Sequence, residues 1–192
     1  YARIMTVFVL FCCFIFLGIS LNISWIQYFI GSADYRSGVS TVPILLIANI
    51  FLGVYYNLSI WYKLSNKTMA GAWITLLGAA ITILINFIAI PYFSYMASAW
   101  ATLICYGTMM YVSYLWGQKV YPVPYATKKL IAYFVITLLL YGIYELATLL
   151  IINNTAQLCI ASFELIAFIL FVARIEKKEL KNLFQKKTVA AS

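Results

Sequence analysis

The sequence contains no histidine and few charged residues. Of its 192 residues, 13 are basic and five are acidic, which makes 9% charged, where a soluble domain has about 25%. The missing histidine removes the commonest general base and metal ligand. The four cysteines, Cys12, Cys13, Cys105 and Cys159, all lie inside apolar runs, as small buried hydrophobic side chains do.

Motifs that carry catalytic chemistry are also missing. We find no nucleophile beside a base, no glycine loop for phosphate, and no cysteine or acidic spacing typical of a metal site. The composition of the chain excludes three classes of protein, namely a soluble enzyme, a disordered chain and a secreted disulfide scaffold. We expect no enzymatic activity, no metal and no cofactor.

Apolar residues dominate the composition of the chain. They make up 65% of the chain, and the mean hydropathy is +0.96, whereas a soluble domain is about 45–50% apolar. A compact fold has too little interior for this much apolar surface, so most of it must face lipid. At about 20 residues per crossing plus short loops, the chain has room for about six transmembrane helices.

Six apolar runs follow one another along the chain. They cover Ile4–Ile30, Pro43–Tyr62, Met69–Ile90, Ala97–Trp116, Leu130–Ile152 and Ala156–Ala173. All six are predicted to be helices, because only a helix satisfies its own backbone in lipid and the alternation of a membrane barrel is missing. Glycine, proline or asparagine separates several runs: Pro43 suits a first helical turn, Pro91 is expected to end the third run, and Asn153 with Asn154 is expected to form the last turn.

The basic residues predict the orientation. Twelve of the 13 lie at the N-terminus, in the second and fourth gaps, or in the tail, whereas the other gaps hold only Arg36 beside Asp34. Cytoplasmic loops retain lysine and arginine, so both ends of the segment are expected in the cytoplasm. The basic residues lie in short gaps and form no face of a folded domain, so we expect no nucleic-acid partner. The tail, 174–192, has the composition of a basic helix lying on anionic lipid, with a frayed tail as the alternative.

Polar residues recur on single faces of the spans. Asn49, Gly53 and Asn57 are spaced at i, i+4 and i+8 on the second span. The third span carries a stripe of Gly71, Thr75, Gly78, Ala79, Thr82 and Asn86, and the fourth carries Ser98, Thr102 and Cys105. Close helix packing explains such stripes. The alternative is a polar cavity wall that suits a sugar, for which Asn49, Asn57, Thr82 and Asn86 are the candidates.

Two acidic residues lie deep in the last two spans. Glu145 and Glu164 are eight and ten residues from the Asn153–Asn154 turn, or ~12 and ~15 Å from it, close to the middle of a ~30 Å core. Two full charges at that level are unfavourable, so the pair is a candidate protonation site that shares a proton. The alternative is a structural hydrogen bond between the two helices.

One stretch resembles a known family. The residues from Gly71 to Tyr125 are similar to polysaccharide-biosynthesis flippases of the multidrug/oligosaccharidyl-lipid/polysaccharide (MOP) superfamily. The matching elements are the Gly71-Ala72 opening, Asn86 followed by Ile90-Pro91, and Ser98-Ala99-Trp100-Ala101-Thr102. Further upstream, Phe29-Ile30-Gly31 with Tyr35, Val42-Pro43-Ile44-Leu45-Leu46 and Tyr55-Tyr56-Asn57-Leu58-Ser59 also match. The last two spans match only in hydropathy and position.

The resemblance implies an all-α integral membrane protein built as the C-terminal part of such a flippase. Residues 1–116 would be four helices of the C-terminal transporter lobe, 117–173 two additional C-terminal transmembrane helices, and 174–192 the basic cytoplasmic tail. The partners would be membrane lipids, a polyprenyl-linked oligosaccharide substrate and an N-terminal lobe of the same chain. The chain begins at Tyr1 without a signal-peptide pattern, so we expect it to be a fragment from which that lobe is missing.

The function implied is movement of polysaccharide repeat units across a bacterial inner membrane by alternating access. The first alternative is a drug or cation exporter of the same superfamily, which substrate assays would separate from a flippase. The second is a membrane polysaccharide polymerase, which would carry a long charged outer loop upstream.

Overall fold

The fold is helical throughout the part of the chain that the structure describes. The computed structural model describes residues 2–26, 38–150 and 154–189, and nearly all of these residues are helical, with no strand among them. The helices are α1 (Ala2–Ser20), α2 (Ile23–Ile26), α3 (Val42–Leu58), α4 (Ile60–Leu64), α5 (Thr68–Val120), α6 (Thr127–Leu150) and α7 (Asn154–Val189). Asp34 and Arg36 of the first gap and Asn153 of the predicted last turn lie outside the described residues, as do the family-like Phe29 to Gly31 and Tyr35.

Five helical segments of the described residues are long and apolar enough to cross a membrane. They are Ala2–Ser20, Gly38–Leu64, Thr68–Val120, Thr127–Leu150 and Ala156–Ile175. Large apolar side chains on these segments point outward, as Phe87 and Leu150 do at 83% and 86% exposure. Small residues such as Ala97, Ala99 and Ala101 are buried instead. This reverses the arrangement of a soluble protein and indicates a multi-pass membrane protein whose outer surface faces lipid.

Helix α5 consists of two helices joined at a break. Its 53 residues would measure about 80 Å at 1.5 Å per residue, far more than a ~30 Å core. Ser94 has φ 48° and ψ −134°, which is not helical, and it separates arms 68–93 and 95–120. Each arm is long enough for one crossing, so each of the six predicted runs contains a described helix. Pro91 does not end the third run as expected: the helix continues for two more residues, because proline's missing N–H removes only one backbone bond.

The two arms of α5 fold back on each other. Sγ of Cys105 donates a hydrogen bond to the carbonyl of Gly78 at 3.2 Å. A Cβ at Gly78 would lie 2.5 Å from Sδ of Met109, so the missing side chain lets the helices approach. Because Gly78 precedes the break by 16 residues and Cys105 follows it by 11, the arms run antiparallel.

The main core lies where α3 and α4 pack against both arms. It comprises the buried residues Tyr55, Trp61, Ala70, Ile74, Cys105 and Met109. Helix α3 begins with Pro43 in its first turn, as predicted. It is followed by α4 after Ser59, whose hydroxyl donates to the carbonyl of Tyr56 at 2.6 Å.

The chain divides into two compact units, Tyr1–Ile136 and Thr137–Ser192. The second contains the end of α6 and all described residues of α7. Helix α7 begins at Asn154, although the sequence predicts a turn at this residue. The helix continues through the basic tail to Val189. Helix α7 has 36 residues, or about 54 Å, and is therefore longer than one crossing. Its apolar part, Ala156–Ile175, and its basic part form one continuous helix.

Candidate functional site

Most polar side chains predicted to line a cavity are bonded within their own helix. Asn49 donates to the carbonyl of Leu45 at 2.8 Å, and Asn57 donates to that of Gly53 at 3.0 Å. Thr82 donates to the carbonyl of Gly78 at 3.0 Å. Each bond links residues i and i−4, which satisfies one donor of the side chain in lipid without a second helix. Asn49 is exposed, whereas Asn57 and Thr82 are half-buried.

Asn86 is bonded differently from the other three candidates. Its side chain is half-buried, and its Oδ1 atom is buried with no hydrogen-bond partner among the described residues. An amide oxygen without a partner is unfavourable away from water. Asn86 is therefore the one candidate whose buried acceptor remains available to another group.

Three hydrogen bonds between helices identify the polar residues that hold the first unit together. Tyr55 and Thr75 approach within 3.4 Å through their hydroxyl oxygens. Nε1 of Trp61 donates to Oγ of Ser113 at 3.2 Å. Together with the bond from Cys105 to Gly78, these contacts place Thr75, Gly78 and Cys105 of the predicted stripes in helix packing. Sequence reasoning missed Ser113, although its i, i+4 spacing to Gly117 continues a small-residue face.

The two deep acidic residues have different surroundings in the second unit. Glu164 is buried at 6% exposure, and its Oε2 has no hydrogen-bond partner among the described residues. Glu145 is exposed, and Tyr141, one turn earlier, is hydrogen-bonded to it. The buried Tyr144 lies near both carboxyl groups. The two acids thus lie in one neighbourhood with a tyrosine, but only Glu164 is enclosed.

An apolar groove of about 510 Å³ opens in the first unit, within the ~300–1,000 Å³ range typical of ligand pockets. Four helices and the loop before α6 line it: Met5, Val9, Ile50, Phe51, Val54, Leu58, Met110, Tyr111, Tyr114, Tyr125, Thr127, Leu130, Ile131 and Phe134. The rings of Phe51 and Phe134 meet across α3 and α6 with centroids 5.4 Å apart. We refer to it as the apolar groove.

The polar groups of the apolar groove are one threonine and three tyrosines. Burial raises the pKa of the Tyr125 phenol in the loop above its ordinary value, because a phenolate is disfavoured away from water. The phenol is therefore neutral at physiological pH, and the lining carries no formal charge. The sequence gives no signal for this groove, because its residues come from four helices and share no spacing.

Among the described residues, no three histidine, cysteine, aspartate or glutamate side chains lie close enough together to hold a metal ion. Comparison with protein-family models, curated proteins and solved structures finds no match to this chain.

Proposed function

We propose that this chain is the C-terminal part of a flippase that moves polyprenyl-linked oligosaccharide across a bacterial inner membrane. The observation that carries the proposal is the similarity of the Gly71–Tyr125 stretch to polysaccharide flippases of the MOP superfamily. In the structure, this stretch forms a helical hairpin, with Asn86 and Ile90-Pro91 before the Ser94 break and Ser98 to Thr102 after it. The family-like segments therefore coincide with the end of one helix and the start of the next.

The outer surface of the protein supports a role within the bilayer. Its long helices present large apolar side chains outward, and their polar groups are largely bonded within helices. A hydroxyl-rich, charged sugar head cannot cross hydrocarbon unaided, because losing its hydration is too costly. A protein path solves this problem, while the polyprenyl tail stays in lipid.

Alternating access is the mechanism that we propose, with two lobes rocking about a site near the middle of the membrane. The chain would supply four helices of one lobe and two additional helices, with both ends in the cytoplasm. The sequence contains no nucleotide-binding loop, so an ion gradient or removal of the product would drive transport. Asn86, with its unpaired buried oxygen, is the candidate to meet a substrate hydroxyl.

The test is transport by the full-length protein that contains this segment. It would be reconstituted into vesicles with a fluorescent polyprenyl-diphosphate oligosaccharide, and the fraction reaching the opposite leaflet would be measured with an impermeant sugar-modifying enzyme. We expect faster movement than in protein-free vesicles. Export of organic cations without movement of the glycolipid would favour a drug exporter, and lengthening of the glycan would favour a polymerase.

A further inference from the structure

The apolar groove lies near the basic ends of the helices that line it. In α1, Met5 lies two residues after Arg3. In α6, the lining residues Thr127, Leu130 and Ile131 flank Lys128 and Lys129. Because these residues border one groove, its rim and the neighbouring positive charges lie at the same end of the spans.

The depth of the groove is slightly less than the hydrocarbon thickness of one leaflet. Along α6 its lining runs from Thr127 to Phe134, which is about 10 Å, and along α3 from Leu58 back to Ile50, which is about 12 Å, at 1.5 Å per residue. Half of a ~30 Å hydrocarbon core is about 15 Å. This depth suits the upper part of a single acyl chain that enters from one leaflet.

The positive charge near the groove favours a lipid with an anionic headgroup. Between residues 1 and 136 the chain has seven basic residues and a single acidic one, Asp34. Lys128 is exposed and lies one turn before the lining residue Ile131. In contrast, Nζ of Lys129 lies 5.6 Å from the centroid of the Tyr133 ring, and Tyr133 does not line the groove. Basic residues at a membrane surface attract anionic lipid.

We propose that the apolar groove binds an acyl chain of an anionic phospholipid, whose phosphate is held by Lys128. The proposal goes beyond the transport function and does not depend on it, because a structural lipid in this place serves any activity of the chain. The groove takes the upper part of the acyl chain, and the phosphate is recognised by Lys128.

The test measures which lipid the full chain retains. The protein is reconstituted in vesicles of equal parts phosphatidylglycerol and phosphatidylcholine, extracted in a mild detergent, and weighed intact by native mass spectrometry. We expect phosphatidylglycerol to be retained in preference. Lys128→Gln is expected to weaken its retention about fivefold, since a lysine near the surface contributes ~1 kcal/mol. Lys129→Gln removes the same charge from a side chain that lies over Tyr133, outside the groove lining, and is expected to leave retention unchanged.

A matched pair of tryptophan variants tests the groove itself. Ile131 and Leu139 are both large apolar residues of α6, exposed at 62% and 60%, but only Ile131 lines the groove. Since both side chains are exposed, neither substitution needs space in the core, and size-exclusion profiles verify folding. We expect Ile131→Trp to abolish retention and Leu139→Trp to preserve it.

Four outcomes overturn the proposal. Equal retention of the two phospholipids removes the role of charge, and equal behaviour of the two tryptophan variants removes the role of the groove. Displacement of phosphatidylglycerol by a polyprenyl phosphate added to the vesicles assigns the groove to the carrier lipid. Retention of no lipid at all shows that the groove binds none.

Discussion

The contact between Gly117 and Trp61 makes a quantitative prediction about how the first unit is held together. Trp61 is 2% exposed, its indole nitrogen bonds Ser113, and Ser113 is fully buried. The Trp61 ring also packs against Trp116 with centroids 5.8 Å apart. A Cβ at position 117 would lie 2.7 Å from Cδ1 and 3.0 Å from Nε1 of Trp61, whereas carbon atoms pack best at about 3.5–4.0 Å.

Gly117→Ala is therefore expected to destabilise the protein. The rigid indole has no flexible end that can move away, so it must shift as a whole. Overpacking of this kind costs about 1–3 kcal/mol, and loss of the bond to Ser113, at 3.2 Å already near the long limit, adds about 0.5–1.5 kcal/mol. A total of about 1.5–4.5 kcal/mol corresponds to a fall in Tm of roughly 3–18 °C, at about 2–4 °C per kcal/mol for a chain of this size.

The assay is thermal unfolding of the purified protein in detergent. Aggregation is measured by size-exclusion chromatography after heating, and the temperature of half-maximal loss gives the Tm. Gly142→Ala is the matched control, because Gly142 is also helical and has no atom within 4 Å of its missing Cβ. Alanine is the better helix former, so this variant should be neutral or slightly more stable. Combining Gly117→Ala with Trp61→Phe should cost less than the sum of the two single changes. Equal Tm values for the Gly117 and Gly142 variants, or strict additivity in the double variant, would refute the contact as described.

Four further predictions concern orientation, transport and the backbone. On a background lacking the four native cysteines, an impermeant thiol reagent should label Ser37→Cys and Asn154→Cys in whole cells but not Lys67→Cys or Lys128→Cys, and the reverse pattern would contradict the charge-based orientation. Asn57→Leu should reduce glycan export more than Ser98→Ala at matched protein levels, and equal losses would argue against a cavity role for Asn57. Glu145→Gln and Glu164→Gln should each fold, since the amide resembles a protonated acid, and the double variant should alter the pH dependence of transport, whereas an unchanged pH profile leaves the pair only a packing role. Ser94→Gly should raise the Tm by about 2–4 °C, because glycine relieves about 1 kcal/mol of strain at positive φ, while Ser98→Gly, in a regular helix, should lower it; two decreases would place the strain elsewhere.

Hydropathy predicts the helices of this chain well because lipid leaves the backbone few alternatives. Each of the six apolar runs contains a described helix, and Pro43 lies in a first turn. The helix ends are less predictable. Helix α1 stops at Ser20, before α2, although the apolar run continues to Ile30, and Pro91 lies within a helix that breaks only at Ser94. Local bonding and packing decide these ends, and hydropathy does not report either.

The candidate site is less predictable than the fold because a polar residue in a span has two ways to satisfy its hydrogen bonds. Thr75 and Thr82 belong to the same predicted stripe, yet Thr75 reaches Tyr55 on another helix as well as its own backbone, whereas Thr82 bonds Gly78 on its own helix. Spacing along one helix is identical for the two roles. The partner is chosen by the neighbouring helix, which a single sequence does not identify.

The same reasoning separates residues that hold the helices together from residues that remain available. A carbonyl one turn back satisfies a donor such as the amide nitrogen of Asn57, so that bond gives no information about a substrate. The carboxyl oxygen of Glu164 and the amide oxygen of Asn86 are buried without such a partner among the described residues. Each unpaired group costs about 1–3 kcal/mol, so a proton, a water or a ligand at that atom stabilises the protein. Hydrogen bonding therefore ranks Asn86 and Glu164 above Asn49, Asn57 and Thr82 as candidates for a functional site. The spacing of these residues alone does not provide this order.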